Sequence, residues 1–233
     1  MKINILLCDI FEGLLPDNVP SYFSMFEEMF RSVSSNVEYI IYNVWNNEFP
    51  AEAESGEVYL ITGSNAGAYE EVLWVKNLLE FIREAYRNDA KLVGICFGHQ
   101  AIAQALGGRV EKAAAGWGAG IRTSLITDNY ALNYFDCGAM RLLYNHHDQV
   151  LQLPPKAVSF AASEFCPNEG FYIGKQVLTF QGHPEFTPEY EGHLIENHAA
   201  DEPALTKQFA LASLKNSSPD SRKAARWILE FGE

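Results

Sequence analysis

Positive charge is scarce in this chain: 17 Lys and Arg stand against 30 Asp and Glu in 233 residues, for a net charge of −13. No basic run interrupts that acidity. Without clustered cations a phosphate backbone finds nothing to hold, so a nucleic-acid partner is excluded. The acidity itself reads as solubility. Long apolar runs are missing too; none approaches the ~20 residues a spanning helix needs, and no membrane partner is expected. The opening Met1-Lys2-Ile3-Asn4-Ile5-Leu6-Leu7-Cys8-Asp9 is too brief for the apolar core of a signal peptide. Cysteines are few, and Cys8, Cys96, Cys137 and Cys166 lie far apart with no paired spacing. That pattern suits neither a small disulfide scaffold nor a zinc cluster, and a reduced, cytoplasmic protein is the expectation. No internal repeat or low-complexity segment is present. No Gly-x4-Gly-Lys-Ser/Thr loop is present either, and the length leaves no room for an ATP-using synthetase domain.

What remains is an ordinary globular composition, 48% hydrophobic and 20% charged. It fits one domain over residues 1–233. Short apolar runs alternate with helical ones, the pattern of βαβ units and a largely parallel sheet. Strands are expected at Ile3–Cys8, Val37–Val44, Glu57–Ile61 and Lys91–Ile95. Tyr22, Phe23, Phe26, Met29, Phe30 and Val33 recur at three- and four-residue steps and predict a helix with an aromatic buried face. A second helix runs over Leu73–Arg87 and a third over His99–Leu106, stopped by Gly107-Gly108. Gly116 to Phe180 is richer in turns and strand signals, consistent with antiparallel strands at one edge. Past Pro188 the chain turns helical and ends in a helix through Ala224, Trp227, Ile228 and Phe231.

Two segments carry chemistry. Gly94-Ile95-Cys96-Phe97-Gly98-His99-Gln100 lies between an apolar strand and a helical stretch, where a nucleophile sits on a sharp turn. Such a turn strains the backbone and leaves no space for side chains two residues to either side, which Gly94 and Gly98 satisfy. The turn also sets Cys96 at a helix amino terminus, where the dipole and unpaired N–H groups favour a thiolate. The N–H of Phe97 would then meet an oxyanion formed by attack on a carbonyl. Gln181-Gly182-His183-Pro184-Glu185 follows another apolar strand. A cysteine nucleophile needs a base, and a histidine needs an acceptor that fixes its tautomer; His183 and Glu185 lie two apart on a segment stiffened by Pro184.

Together these segments resemble class I glutamine amidotransferases, the Cys-His-Glu triad family. Ile61-Thr62-Gly63-Ser64 is similar to that family's loop after an earlier strand. The resemblance implies a flavodoxin-like three-layer α/β fold with a small antiparallel edge. It implies Cys96, His183 and Glu185 as the triad, with Gly63 and Phe97 as oxyanion donors. Gln100, Asn145 and His146 would be substrate contacts, the last two from Asn145-His146-His147-Asp148, where many members carry Ser-His-Gly-Asp. His147 in place of glycine changes that side of the pocket. The implied reaction is hydrolysis of a γ-glutamyl amide through a thioester on Cys96, with no cofactor. The layout resembles stand-alone members similar to the GMP synthase amidotransferase domain, a group that includes γ-glutamyl peptidases; Phe97 and Gly116-Trp117-Gly118-Ala119-Gly120 carry that likeness.

Other readings stay open. The chain could be a glutaminase subunit feeding ammonia to a synthetase partner, or a non-catalytic binding module on this fold. A different cysteine hydrolase would draw its base from His99, close after Cys96. No metal site is expected: His146 and His147 point opposite ways along a strand, and His193 and His198 do not share one helical face.

Overall fold

The computed structural model describes every residue except Glu12 and Pro20. Among the described residues, nine strands form one sheet in the order β2-β1-β3-β4-β11-β10-β9-β6-β7. Its parallel half consists of β1 (Lys2–Leu7), β2 (Glu38–Asn43), β3 (Val58–Ile61), β4 (Lys91–Ile95) and β11 (Val177–Phe180). The antiparallel edge is built by β6 (Gly118–Ile126), β7 (Ala139–His146), β9 (Val158–Ala162) and β10 (Gly170–Ile173). A separate ribbon pairs β5 (Arg109–Lys112) with β8 (Asp148–Gln152). The expected α/β sheet is therefore present.

Side-chain alternation explains the three layers. Ile3, Ile5 and Leu7 of β1, Val58 and Leu60 of β3, and Val93 and Ile95 of β4 fall in one apolar cluster. The intervening Leu6, Tyr59, Ile61 and Leu92 fall in the other. Successive residues point to opposite faces, so a strand apolar at every position must be covered twice. On the first face lie α1 (Tyr22–Arg31) and α6 (Ser221–Gly232), whose Trp227 is fully buried. On the second lie α2 (Leu73–Arg87) and α3 (Phe97–Ala105). The remaining helices, α4 (Pro188–His198) and α5 (Ala204–Asn216), pack beside β6.

The helix α1 starts where Ser21 and Ser24 form a capping box. Its buried face is Tyr22, Met25, Phe26, Met29 and Phe30. Phe23 instead lies half-buried against Tyr39, ring centroids 5.2 Å apart, and Val33 lies beyond the helix end. The bounds of α2 match the expected span. The helix α3 begins two residues earlier than periodicity suggested, because the turn at Cys96 passes straight into it.

Candidate active site

Cys96 follows β4 and is the N-cap of α3, at φ 50° and ψ −102°. A non-glycine residue pays for that backbone region and holds it only when its surroundings insist. They insist here: the Cys96 N–H donates to the Phe180 carbonyl at 2.8 Å, and its own carbonyl accepts from Gln100 N–H at 3.1 Å. The flanking glycines are required by contact. A Cβ on Gly94 would sit 2.6 Å from the Gly98 backbone, and one on Gly98 would sit 2.2 Å from the Ile61 carbonyl oxygen. Gly98 is thus small because α3 presses against β3.

The strand β11 runs beside β4, with Phe180 opposite Ile95, so its continuation brings His183 to the side of the Cys96 turn. The His183 N–H donates to the Leu143 carbonyl at 2.7 Å, tying the segment to β7. His183 Nδ1 lies 2.7 Å from Glu185 Oε1, with both side chains buried. The Phe186 ring stacks on the imidazole at 3.8 Å, fixing its plane. Burial opposes a charge on His183, but Glu185 and Cys96 outweigh it and raise its pKa to about 10. The imidazole therefore carries a proton at neutral pH.

Two residues that sequence reasoning passed over complete this arrangement. The Tyr22 hydroxyl, from α1, donates to Glu185 Oε1 at 3.0 Å and accepts the Gly63 N–H at 3.1 Å. Gly63 must be glycine, since a Cβ there would lie 2.9 Å from both His183 Cε1 and Tyr22 Oη. Gly63 departs from expectation, however: its N–H is already given to Tyr22 instead of pointing at an oxyanion. Gln181 is the second, with Nε2 3.6 Å from the Cys96 sulfur.

Cys96, His183, Gln100, Asn145 and His146 all line one cleft of 630 Å³. Gln100 spends both amide hydrogens inside the protein, on the Asp148 carbonyl at 2.9 Å and on Gln181 Oε1 at 3.2 Å. Only its oxygen remains to meet a ligand. Asn145 Oδ1 accepts from Trp117 Nε1 at 2.9 Å. His146 Nδ1 faces the Asp148 carbonyl at 2.9 Å, and a carbonyl can only accept, so Nδ1 carries the hydrogen. Burial lowers the His146 pKa to about 3, leaving a neutral ring whose Nε2 has no partner among the described residues.

The other histidines separate. His147 turns to the rim and pairs with Glu202 at 3.0 Å. His99 is buried in the opposite cluster's side of the sheet, bonded to Thr179 Oγ1 at 2.8 Å and packed on Phe171. It does not line the cleft, and burial lowers its pKa to about 3. His193 and His198, expected not to share one helical face, nonetheless bring their rings within 5.4 Å of each other on α4. Among the described residues no group of three His, Cys, Asp or Glu side chains is arranged to hold a metal, and no helix is long and apolar enough to cross a membrane.

The comparisons with known proteins point the same way. The family model described as glutamine amidotransferase class-I matches residues 14–201. Gamma-glutamyl peptidase 3 of Arabidopsis thaliana is 31% identical over 183 residues, covering 75% of this chain and 73% of the peptidase. A Saccharomyces cerevisiae protein carrying a provisional glutamine amidotransferase name is 36% identical over 165 residues, 67% of this chain. The match spans 65% of that relative, just under two thirds of its length. A glutamine amidotransferase from Thermotoga maritima, known as a crystal structure, superimposes with a TM-score of 0.72 at 22% identity, over 99% of this chain and 95% of that one.

Proposed function

Because the chain belongs to the class I glutamine amidotransferase family, we propose that it hydrolyses a γ-glutamyl amide bond, with Cys96 as nucleophile, His183 as acid and base, and Glu185 as the group that holds His183. The observation that carries this reading is the strained Cys96 turn sharing a cleft with a buried His183 whose Nδ1 is bound by Glu185. Cys96 Sγ attacks the γ-carbonyl carbon, the S–C bond forms, and the carbonyl π pair moves to oxygen. The Phe97 N–H, in the first turn of α3, receives that oxyanion. Ser64 lines the cleft whereas Gly63 does not, so the Ser64 N–H is better placed as second donor. The C–N bond then breaks and His183 gives its proton to the departing amine. Water, deprotonated by His183, attacks the thioester carbon; the C–S bond breaks, glutamate leaves, and sulfur departs as the thiolate beside a His183 that again carries its proton.

The Gln100 oxygen, as an acceptor with no remaining donor of its own, suits the α-ammonium of the γ-glutamyl group. Asn145 and His146 line the same wall. A cleft of 630 Å³ falls in the size range that encloses a ligand well beyond one amino acid, ~300–1,000 Å³. That favours an amine side larger than ammonia, and a γ-glutamyl peptide over free glutamine. The test is direct release of glutamate and amine by wild-type and Cys96→Ala protein. The panel contains glutamine, γ-glutamyl dipeptides, glutathione and a glutathione conjugate. Cys96-dependent cleavage of the peptides supports the reading. Cleavage of glutamine alone would favour a subunit that feeds a synthetase, and silence on every compound would sink the hydrolase.

A further inference from the structure

Tyr22 sits beneath the triad, and its two hydrogen bonds can run in only one direction. A backbone amide can only donate, so the Gly63 N–H at 3.1 Å occupies a lone pair of the Tyr22 oxygen. The single hydroxyl hydrogen then has Glu185 Oε1, at 3.0 Å, as its acceptor. That makes Oε1 an acceptor, so His183 Nδ1 at 2.7 Å must be the donor. Burial, with the charge of Glu185, pushes the Tyr22 phenol well above its ordinary range, so the hydroxyl keeps its proton throughout.

We propose that Tyr22 is a positioning residue for the reaction described above: relayed through its hydroxyl, the Gly63 amide fixes Nδ1 as the hydrogen-bearing nitrogen facing Glu185. Nε2 is thereby left to give its proton to the amine and to take one from water. The hydroxyl has a second effect. Glu185 Oε1 divides its charge between two donors, which loosens its hold on the imidazolium and lets His183 release its proton to a leaving group. A residue that sequence periodicity assigns to the core thus moderates the acid. The inference rests on the Cys96–His183–Glu185 reading.

The groups acting on His183 are Glu185 on its own segment and Cys96 from the β4–α3 turn, with Tyr22 from α1 reaching it through Glu185. His146 from β7 and Glu191 from α4 act at longer range. Tyr22 is the one whose hydroxyl can be removed or strengthened with little change of volume. The experiment follows His183 by nitrogen–proton NMR through a pH titration in the full chain, beside steady-state kinetics. With Tyr22→Phe, His183 should titrate at higher pH, its Nδ1 proton should move downfield, and kcat should fall roughly tenfold with KM unchanged, the effect of one lost charge-assisted bond. Replacing Tyr22 by 3,5-difluorotyrosine makes the hydroxyl a stronger donor, and His183 should then titrate at lower pH.

Opposite displacements support the proposal. Titration unmoved in both variants, or moved the same way, overturns it, since a merely structural residue would lower activity without resetting His183. If Tyr22→Phe fails to fold, the fluorinated protein decides alone. If wild-type protein cleaves no γ-glutamyl compound, the functional reading falls while the titration still decides the role of Tyr22.

Discussion

Replacing Glu185 by glutamine removes a charge while leaving an acceptor in place. Glu185 Oε1 takes His183 Nδ1 at 2.7 Å and the Tyr22 hydroxyl at 3.0 Å, and a glutamine oxygen can serve both. The new amide nitrogen falls where Oε2 is buried without a partner among the described residues. One unpaired donor costs about 1–3 kcal/mol of stability, which a domain with ~5–15 kcal/mol in hand tolerates. Burial, the first influence on His183, lowers its pKa and is unchanged by the substitution; the Glu185 charge, the first of those opposing it, is gone. His183 should therefore titrate at clearly lower pH than in the wild type, with only Cys96 left to oppose burial, and be less often protonated when the amine departs. General acid–base catalysis is worth roughly 10²–10⁴-fold, and kcat should fall within that range with KM little changed. The assay is amine release from a γ-glutamyl amide between pH 6 and 10, with His183 titrated by NMR in the same protein. Residual activity in the variant should rise as pH is lowered toward the new pKa. A kcat within tenfold of wild type, or an unmoved His183 titration, would refute the reasoning.

Glu191, on α4, accepts the Gly120 N–H at 3.1 Å, and burial pushes its pKa up to about 8. A carboxyl raised above its unfolded value contributes stability that is present below pH ~4.5 and lost as pH rises through about 8. The melting temperature of Glu191→Gln relative to wild type should climb between pH 5 and 9 in calorimetry; a flat difference would contradict this. Gly98→Ala would place a Cβ 2.2 Å from the Ile61 carbonyl. Because the obstacle is backbone, we expect a loss of at least ~3 kcal/mol in chemical denaturation, and a smaller loss would mean that α3 shifts freely on β3.

The parts legible in the sequence were those whose cause is local. The bounds of α2 follow from apolar spacing. Cys96 and His183 stand at strand ends, and Gly94 and Gly98 mark a turn that nothing larger can make. What escaped depends on neighbours distant in sequence. Tyr22 meets Gly63 across 41 residues of chain, and in an aromatic stripe a ring that packs reads the same as a ring whose hydroxyl reaches a carboxylate. The Gly63 loop could be recognised, but not the acceptor that takes its amide. Gln181 read as a flank of the His183 motif, because only the pairing of β11 with β4 sets it beside sulfur. His99 follows Cys96 closely, yet α3 carries it to the other side of the sheet, which linear proximity cannot express.

The pairing of β4 with β11 also bears on when the protein becomes competent. Gly94 lies opposite Thr179 and Ile95 opposite Phe180, so the two strands that hold sulfur and imidazole meet only after a long excursion of chain closes. The entropy of closure grows as (3/2)RT ln n, about 4 kcal/mol for a loop of this length. Nothing repays that cost until the strands zip against the rest of the sheet. Helices can form early in refolding without any gain of chemistry, and activity should return only once β4 and β11 have paired. On the ribosome, a nascent chain would carry Cys96 without its histidine until the segment beyond residue 180 had emerged.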